Sequence, residues 1–200
     1  MNLLDHFKST PLVSFRFVLG EYNEVAVEVT PHDPQADSLE LVRFWAFVAA
    51  RILYEIWFSN TPHAFLLLDH LARVFEGHLG DTTDCFKQAE FLQFHYVRKA
   101  RSPREEIAGE YRIRGKDDRQ VRFSDDLPFE GLTPSSLLMV ANLVLLQWVV
   151  ERLKGNPSAL QTLQATGRIL ISQFASEAWP GKASMERLPQ AAFAQAISRG

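Results

Sequence analysis

The chain has 200 residues, a net charge of −3 and 46% hydrophobic residues. That is the composition of an ordinary globular protein, long enough to bury a sizeable core without staples. Its single cysteine, Cys85, excludes an internal disulfide and a thiolate-only zinc site, and fits a cytoplasmic, reducing location.

The first residues, "MNLLDHFKST", carry no basic n-region and no long apolar run, so the reading expects no signal peptide and a short helix over 3–8. "LVSFRFVL" (12–19) and "EVAVEV" (24–29) are rich in β-branched and aromatic residues. Joined by "GEYN", they predict a hairpin with Phe15, Phe17, Leu19, Val25, Val27 and Val29 on one side.

"PHDPQADS" reads as a loop, and Asp37 with Glu40 three residues on resembles a capping box. The helix that follows, to about Phe58, is apolar almost all round. Such a helix is central in its domain or meets a second subunit. Thr61 and Pro62 start the next helix as cap and early proline, and Gly77 to Gly80 end it.

Residues 91–101, "FLQFHYVRKAR", alternate in a way that predicts a strand. "SPRE" breaks it, and "YRIRGKDDRQVRF" (111–123) then reads as two strands around a charged turn at "GKDD". One face of this hairpin carries Arg112, Arg114 and Arg122, the other Tyr111, Ile113, Val121 and Phe123. After the polar loop "SDDLPFEGL", Thr133 and Pro134 open a helix to about Lys154. Gly155, Asn156 and Pro157 separate it from another, to about Ser176. "WPGK" (179–182) is a predicted turn, and a short last helix is expected from Pro189, with Ala192, Phe193, Ala196 and Ile197 on one side.

The most apolar stretch, 135–150, is uncharged but short for a membrane span, and the helix before Phe58 carries Glu40, Arg43, Arg51 and Glu55. Both read as core helices, with no membrane partner. The expected fold is a single α+β domain over 1–200, a largely antiparallel sheet of about five strands against four main helices. The order hairpin, loop, long helix, break, second helix occurs twice, over 12–80 and 91–176, followed by a C-terminal arm over 177–200. An offset of 95 or 96 residues sets Phe15 on Tyr111, Val25 on Val121, Ala46 on Ala141, Pro62 on Pro157 and Arg73 on Arg168, which suggests an internal duplication.

Three groups carry candidate chemistry. Residues 95–124 are net positive in a net negative chain. Arg98, Arg112, Arg114 and Arg122 there form a candidate anion-binding face, because the planar guanidinium fork binds oxyanions at two points. Tyr96 or Tyr111 would stack a base if exposed. The interleaved Glu105, Glu106, Glu110, Asp117 and Asp118 fit ion pairing on a solvated sheet face equally. His78, Asp81, Asp84 and Cys85 offer zinc-type ligands within eight residues, but at no established zinc spacing. His63, Asp69 and His70 share a helix, with the two histidines two turns apart, ~10 Å, too far to grip one metal.

No complete nucleophile, metalloprotease, phosphate-loop or dinucleotide motif occurs, so no catalytic residue and no cofactor is assigned. The leading expectation is a non-catalytic cytoplasmic protein-interaction or adaptor module acting as an oligomer, most simply a homodimer. The alternatives are nucleic-acid or polyanion binding through 98–122, and an enzyme or small-molecule binder whose site assembles from scattered residues.

Overall fold

A computed structural model describes residues 10–33, 35–80, 82–97, 106–114, 118–124, 132–176 and 182–199, with the side chains of 10, 114, 132–134 and 182–186 outside that description. The expected helix over 3–8, the "SPRE" break, the tip of "GKDD", most of "SDDLPFEGL" and the "WPG" of the last turn lie outside the described residues.

The chain is α+β. In order it forms β1 (Thr10–Leu19), β2 (Val25–Pro31), α1 (Ser38–Ser59), α2 (Thr61–Glu76), α3 (Thr83–Leu92) and a π-helical turn (Gln93–Val97). It continues through β3 (Glu106–Arg114), β4 (Asp118–Phe123), α4 (Leu132–Leu153), α5 (Pro157–Ser176) and α6 (Lys182–Ser198). The strands make one antiparallel sheet in the order β2-β1-β3-β4.

Alternation along the strands gives the sheet two unlike faces. Val13, Phe15, Phe17, Ile107, Tyr111, Val121 and Phe123 are buried under the helices. The register pairs Tyr111 with Val121, Arg112 with Gln120 and Glu110 with Arg122, so the two expected faces of the second hairpin are present. Gly109 leaves room for Phe15, because a β-carbon there would lie 2.5 Å from that ring.

Helix α1 is central. It packs on α2, α4, α5, α6 and the β3–β4 hairpin, which is why every residue from Phe44 to Ala50 is buried. Helix α4 is long and apolar enough over Ser135–Leu153 to cross a membrane, yet 72% of that stretch is buried among α1, α3 and the β1–β2 hairpin. Each long helix therefore lies chiefly under the hairpin of the other half of the chain.

Several local expectations are corrected. Residues 91–97 are not a strand: α3 reaches Leu92 and the π turn carries on to Val97, so the described sheet has four strands and not about five. The buried residues Cys85, Ala89, Leu92 and Val97 follow helical spacing; the apparent alternation came from Phe91 and Phe94, which face outward. Arg98 to Arg101 lie outside the described residues.

The cap of α2 is Asn60, which accepts from the His63 N–H at 3.3 Å, whereas the Thr61 hydroxyl donates back to the Trp57 carbonyl at 2.8 Å. Thr82 precedes α3 without capping it, and donates instead to Glu151 at 3.1 Å.

Helix α6 begins at Lys182 with Pro189 inside it, because "KASMERL" is made mostly of good helix formers. An internal proline costs ~3 kcal/mol in lost hydrogen bonding and crowding. Packing against α1 and α5 offsets it: Ala192, Phe193 and Ala196 are buried, and the Arg43 guanidinium lies 4.4 Å above the Phe193 ring. Asp37 caps α1 as expected, accepting from the Leu39 N–H at 3.2 Å, but Glu40 does not complete a capping box: its carboxylate accepts from Tyr111 and Arg119 instead.

Candidate functional site

The open face of the sheet holds Arg112 and Arg122 of the arginine candidates. Arg112 forms an ion pair with Glu110 on its own strand. Arg16 donates to Glu28 at 2.9 Å through Nε and to Glu106 at 3.4 Å. Arg122 is exposed and stands opposite Glu110 in the register. Arg98 and the Arg114 side chain lie outside the described residues. The described part of this face thus alternates acid and base, as cross-strand pairing on a solvated surface does.

Arg119 points the other way. Its guanidinium donates to Glu40 of α1 at 3.1 Å and 3.2 Å, and the Tyr111 hydroxyl donates to the same carboxylate at 2.6 Å. Arg43 adds a contact at 3.1 Å. Burial alone would raise the Glu40 pKa, but the hydrogen bonds from Arg119 and Tyr111 and the charges of Arg119 and Arg43 hold it below the ordinary value. Burial and the Glu40 charge push the Tyr111 phenol far upward, so it stays a donor. Beside this cluster is a cleft of about 280 Å³ with an apolar floor (Leu12, Val13, Leu41, Ile113) and an acidic rim (Asp33, Asp37, Glu40). Glu40 is committed to the helix–sheet joint, Asp37 to the α1 cap, and Asp33 to the Gln35 N–H at 2.9 Å.

Of the zinc-type residues, Cys85 is buried, and burial followed by the charge of Asp84 pushes its thiol up to about 12. A thiol so raised is a poor ligand and a poor nucleophile at neutral pH. Asp81 lies outside the described residues, and among the described residues no group of three His, Cys, Asp or Glu is placed to hold a metal ion. His63 and His70 both face inward from α2. His63 shares a hydrogen bond with the Ser135 hydroxyl at 2.9 Å through Nδ1, and its burial lowers its pKa. His70 bonds the Gln88 side chain through Nδ1. Asp69 pairs with Arg73 at 3.0 Å on the exposed side of the helix.

A different surface stands out. Phe86, Phe91 and Phe94 are 53%, 46% and 53% exposed, on one short amphipathic element made of α3 and the π turn. The Gln93 amide fixes that element to the β1–β2 turn: its oxygen accepts from the Val25 N–H at 2.9 Å, and its nitrogen donates to the Asn23 carbonyl. Asn23 itself has φ 57°, a left-handed conformation that asparagine tolerates better than most residues.

The rings are ordered by their neighbours. His95 bonds the Phe91 carbonyl at 2.9 Å through Nδ1 and stacks on the Phe91 ring at 4.2 Å. Phe94 meets His95 edge-on at 5.1 Å, and His70 approaches Phe91 from below at 5.4 Å. Between them an open groove of about 370 Å³ is lined by Lys87, Glu90, Phe91, Phe94 and His95. The π turn adds a residue to one turn of helix, a distortion often met at functional sites.

A second exposed aromatic group lies where α1 meets α2, with the Phe58 ring tilted against Tyr54 at 4.8 Å and Phe65 edge-on to Trp57 at 5.4 Å. Sequence reasoning missed the α3 surface because it assigned 91–101 to a strand. The signal that would have found it is the helical spacing of Cys85, Ala89 and Leu92, which leaves Phe86, Phe91 and Phe94 outside. No family model, no curated protein and no solved structure matches the chain.

Proposed function

We propose that this protein is a non-catalytic, cytoplasmic interaction module that works as an oligomer and docks through the aromatic face of α3 and the π turn. The observation that carries the reading is the exposure of Phe86, Phe91 and Phe94 on one element held in place by Gln93. Several large aromatic side chains exposed on one element mark an interaction site, and aromatic side chains dominate the energetics of such sites. The Phe91 ring, already held by His70 and His95, loses little freedom on docking. The cytoplasmic assignment rests on the unpaired, buried Cys85.

The test is sedimentation velocity of the full chain from low to high micromolar concentration. The reading requires the mass to rise above 22.8 kDa with concentration. A mass that stays at the monomer value throughout would contradict it.

The same reading includes an internal duplication of a ββαα unit. Three observations support it. The sheet order β2-β1-β3-β4 sets the first strand of each hairpin side by side, α1 lies under the second hairpin and α4 under the first, and Asn60 and Asn156 occupy matching helix breaks.

Polyanion binding through 98–122 is the second reading, favoured by the exposed Arg122 and the net positive charge of 95–124. Fluorescence anisotropy with labelled DNA and RNA at low and moderate salt tests it. Binding that weakens with salt and is lost on Arg112→Ala and Arg122→Ala would favour this reading over the first.

A further inference from the structure

We infer that the occupant of the α3 groove is α3 of a second copy, laid antiparallel across a twofold axis; this rests on the docking surface proposed above. Lys87, Glu90 and Phe91 stand at i, i+3 and i+4 on α3 and Phe94 follows in the π turn, and these four side chains border the groove. A side chain from a facing helix fits among them in the groove.

Its charges select which helix. Lys87 and Glu90 lie on the same face one turn apart and carry opposite charges. A twofold axis that sets Lys87 against Glu90 of a second copy sets Glu90 against the second Lys87 by the same operation. A self-complementary patch is what an isologous dimer needs. A parallel arrangement would oppose like charges instead.

The aromatic residues fit the same geometry. Phe86 and Phe91 are about 140° apart around the helix at 100° per residue, with Lys87 and Glu90 between them. In that register Phe86 stands level with Phe91 of the second copy, so aromatic rings flank the two charge pairs. Phe94 extends the contact over Thr83 of the second copy. The groove of about 370 Å³ beside Phe91, Phe94 and His95 takes up side chains from that helix.

The test is the dimerisation constant of the full chain by sedimentation equilibrium. Phe94→Asp is expected to weaken association at least about tenfold, as loss of an anchoring ring does. Lys87→Glu and Glu90→Lys each place like charges in both pairs and are expected to weaken it as well. The double variant Lys87→Glu/Glu90→Lys restores the wild-type constant, and an equal mixture of the two single variants forms a heterodimer tighter than either homodimer. Thermal melts followed by circular dichroism check that each variant folds, and the exposed positions make unchanged melts the expectation.

A dimer whose constant ignores all these substitutions overturns the α3 arrangement while leaving an oligomer formed elsewhere, for instance around Phe58 and Phe65. A double variant weaker than both singles also overturns it. A wild-type chain that never associates overturns both the arrangement and the oligomeric reading beneath it.

Discussion

Asn60 and Asn156 do the same double duty in the two halves of the chain. The Asn60 N–H closes α1 on the Ile56 carbonyl at 2.7 Å while its side chain opens α2 on the His63 N–H. The Asn156 N–H closes α4 on the Leu153 carbonyl at 2.8 Å while its side chain opens α5 on the Ala159 N–H at 3.1 Å. One residue thus satisfies groups on two helices and fixes the angle between them. Asn60→Ala and Asn156→Ala are each expected to cost about 1 kcal/mol, the usual value of a lost cap. The double variant should lose the sum, about 2 kcal/mol, because the two breaks share no partner. Urea denaturation of the three variants measures this.

Two groups give the stability a defined pH dependence. Glu40 has a folded pKa below its unfolded one, so the stability it contributes is complete above the unfolded value, about 4.3, and is lost as pH falls through the folded value. His63 also has a lowered pKa. For a base this means that the unfolded chain takes up the proton first, so stability declines as pH falls below about 6.5 toward the folded value. Denaturation midpoints measured from pH 8 to pH 3 should show both declines. Glu40→Gln makes the lower one shallower and leaves the upper, because Glu151 is also held below its ordinary value by Lys154; a lower decline of unchanged size would contradict the role given to Glu40.

Alanine normally favours a helix over glycine, but Gly167→Ala is expected to destabilise this protein. A β-carbon at 167 would lie 2.2 Å from the Phe75 ring, which packs at 5.1 Å against the fully buried Trp45. Neither ring has room to move in a close-packed core. The expected loss is about 1–3 kcal/mol, the range for overpacking. A thermal melt at or above that of the wild type would contradict this packing.

Asn142 stands fully buried in the most apolar helix, and neither end of its amide has a hydrogen-bond partner. Asn142→Leu replaces two unsatisfied polar atoms by methyl groups on the same branched framework. It is expected to raise stability by about 1–3 kcal/mol, the penalty for leaving such groups buried unpaired. Chemical denaturation gives the sign directly.

Periodicity and punctuation made much of this fold legible. The alternating Phe15, Phe17 and Leu19, the all-round apolar α1 and the Gly155-Asn156-Pro157 break all stand in the structure as read. Local patterns failed where two periods overlapped. From Phe91 to Val97 apolar residues fall on both faces, so alternate spacing and helical spacing fit equally well. Only packing against α4 decides which residues turn inward. Pro189 misled in the opposite sense, because a strong local breaker gave way to burial of Ala192 and Phe193. The Glu40–Tyr111–Arg119 joint was not legible at all. Its members are separated by up to 79 residues, and only the sheet order and the lie of α1 bring them together.

The measurement that tests the central claim most directly is amide hydrogen–deuterium exchange of the full chain at low and high micromolar concentration. The account predicts that protection rises with concentration over Thr83–Val97 and not on the open face of the sheet. Exchange that does not depend on concentration, or protection that rises around Phe58 and Phe65 while α3 stays unchanged, would contradict it.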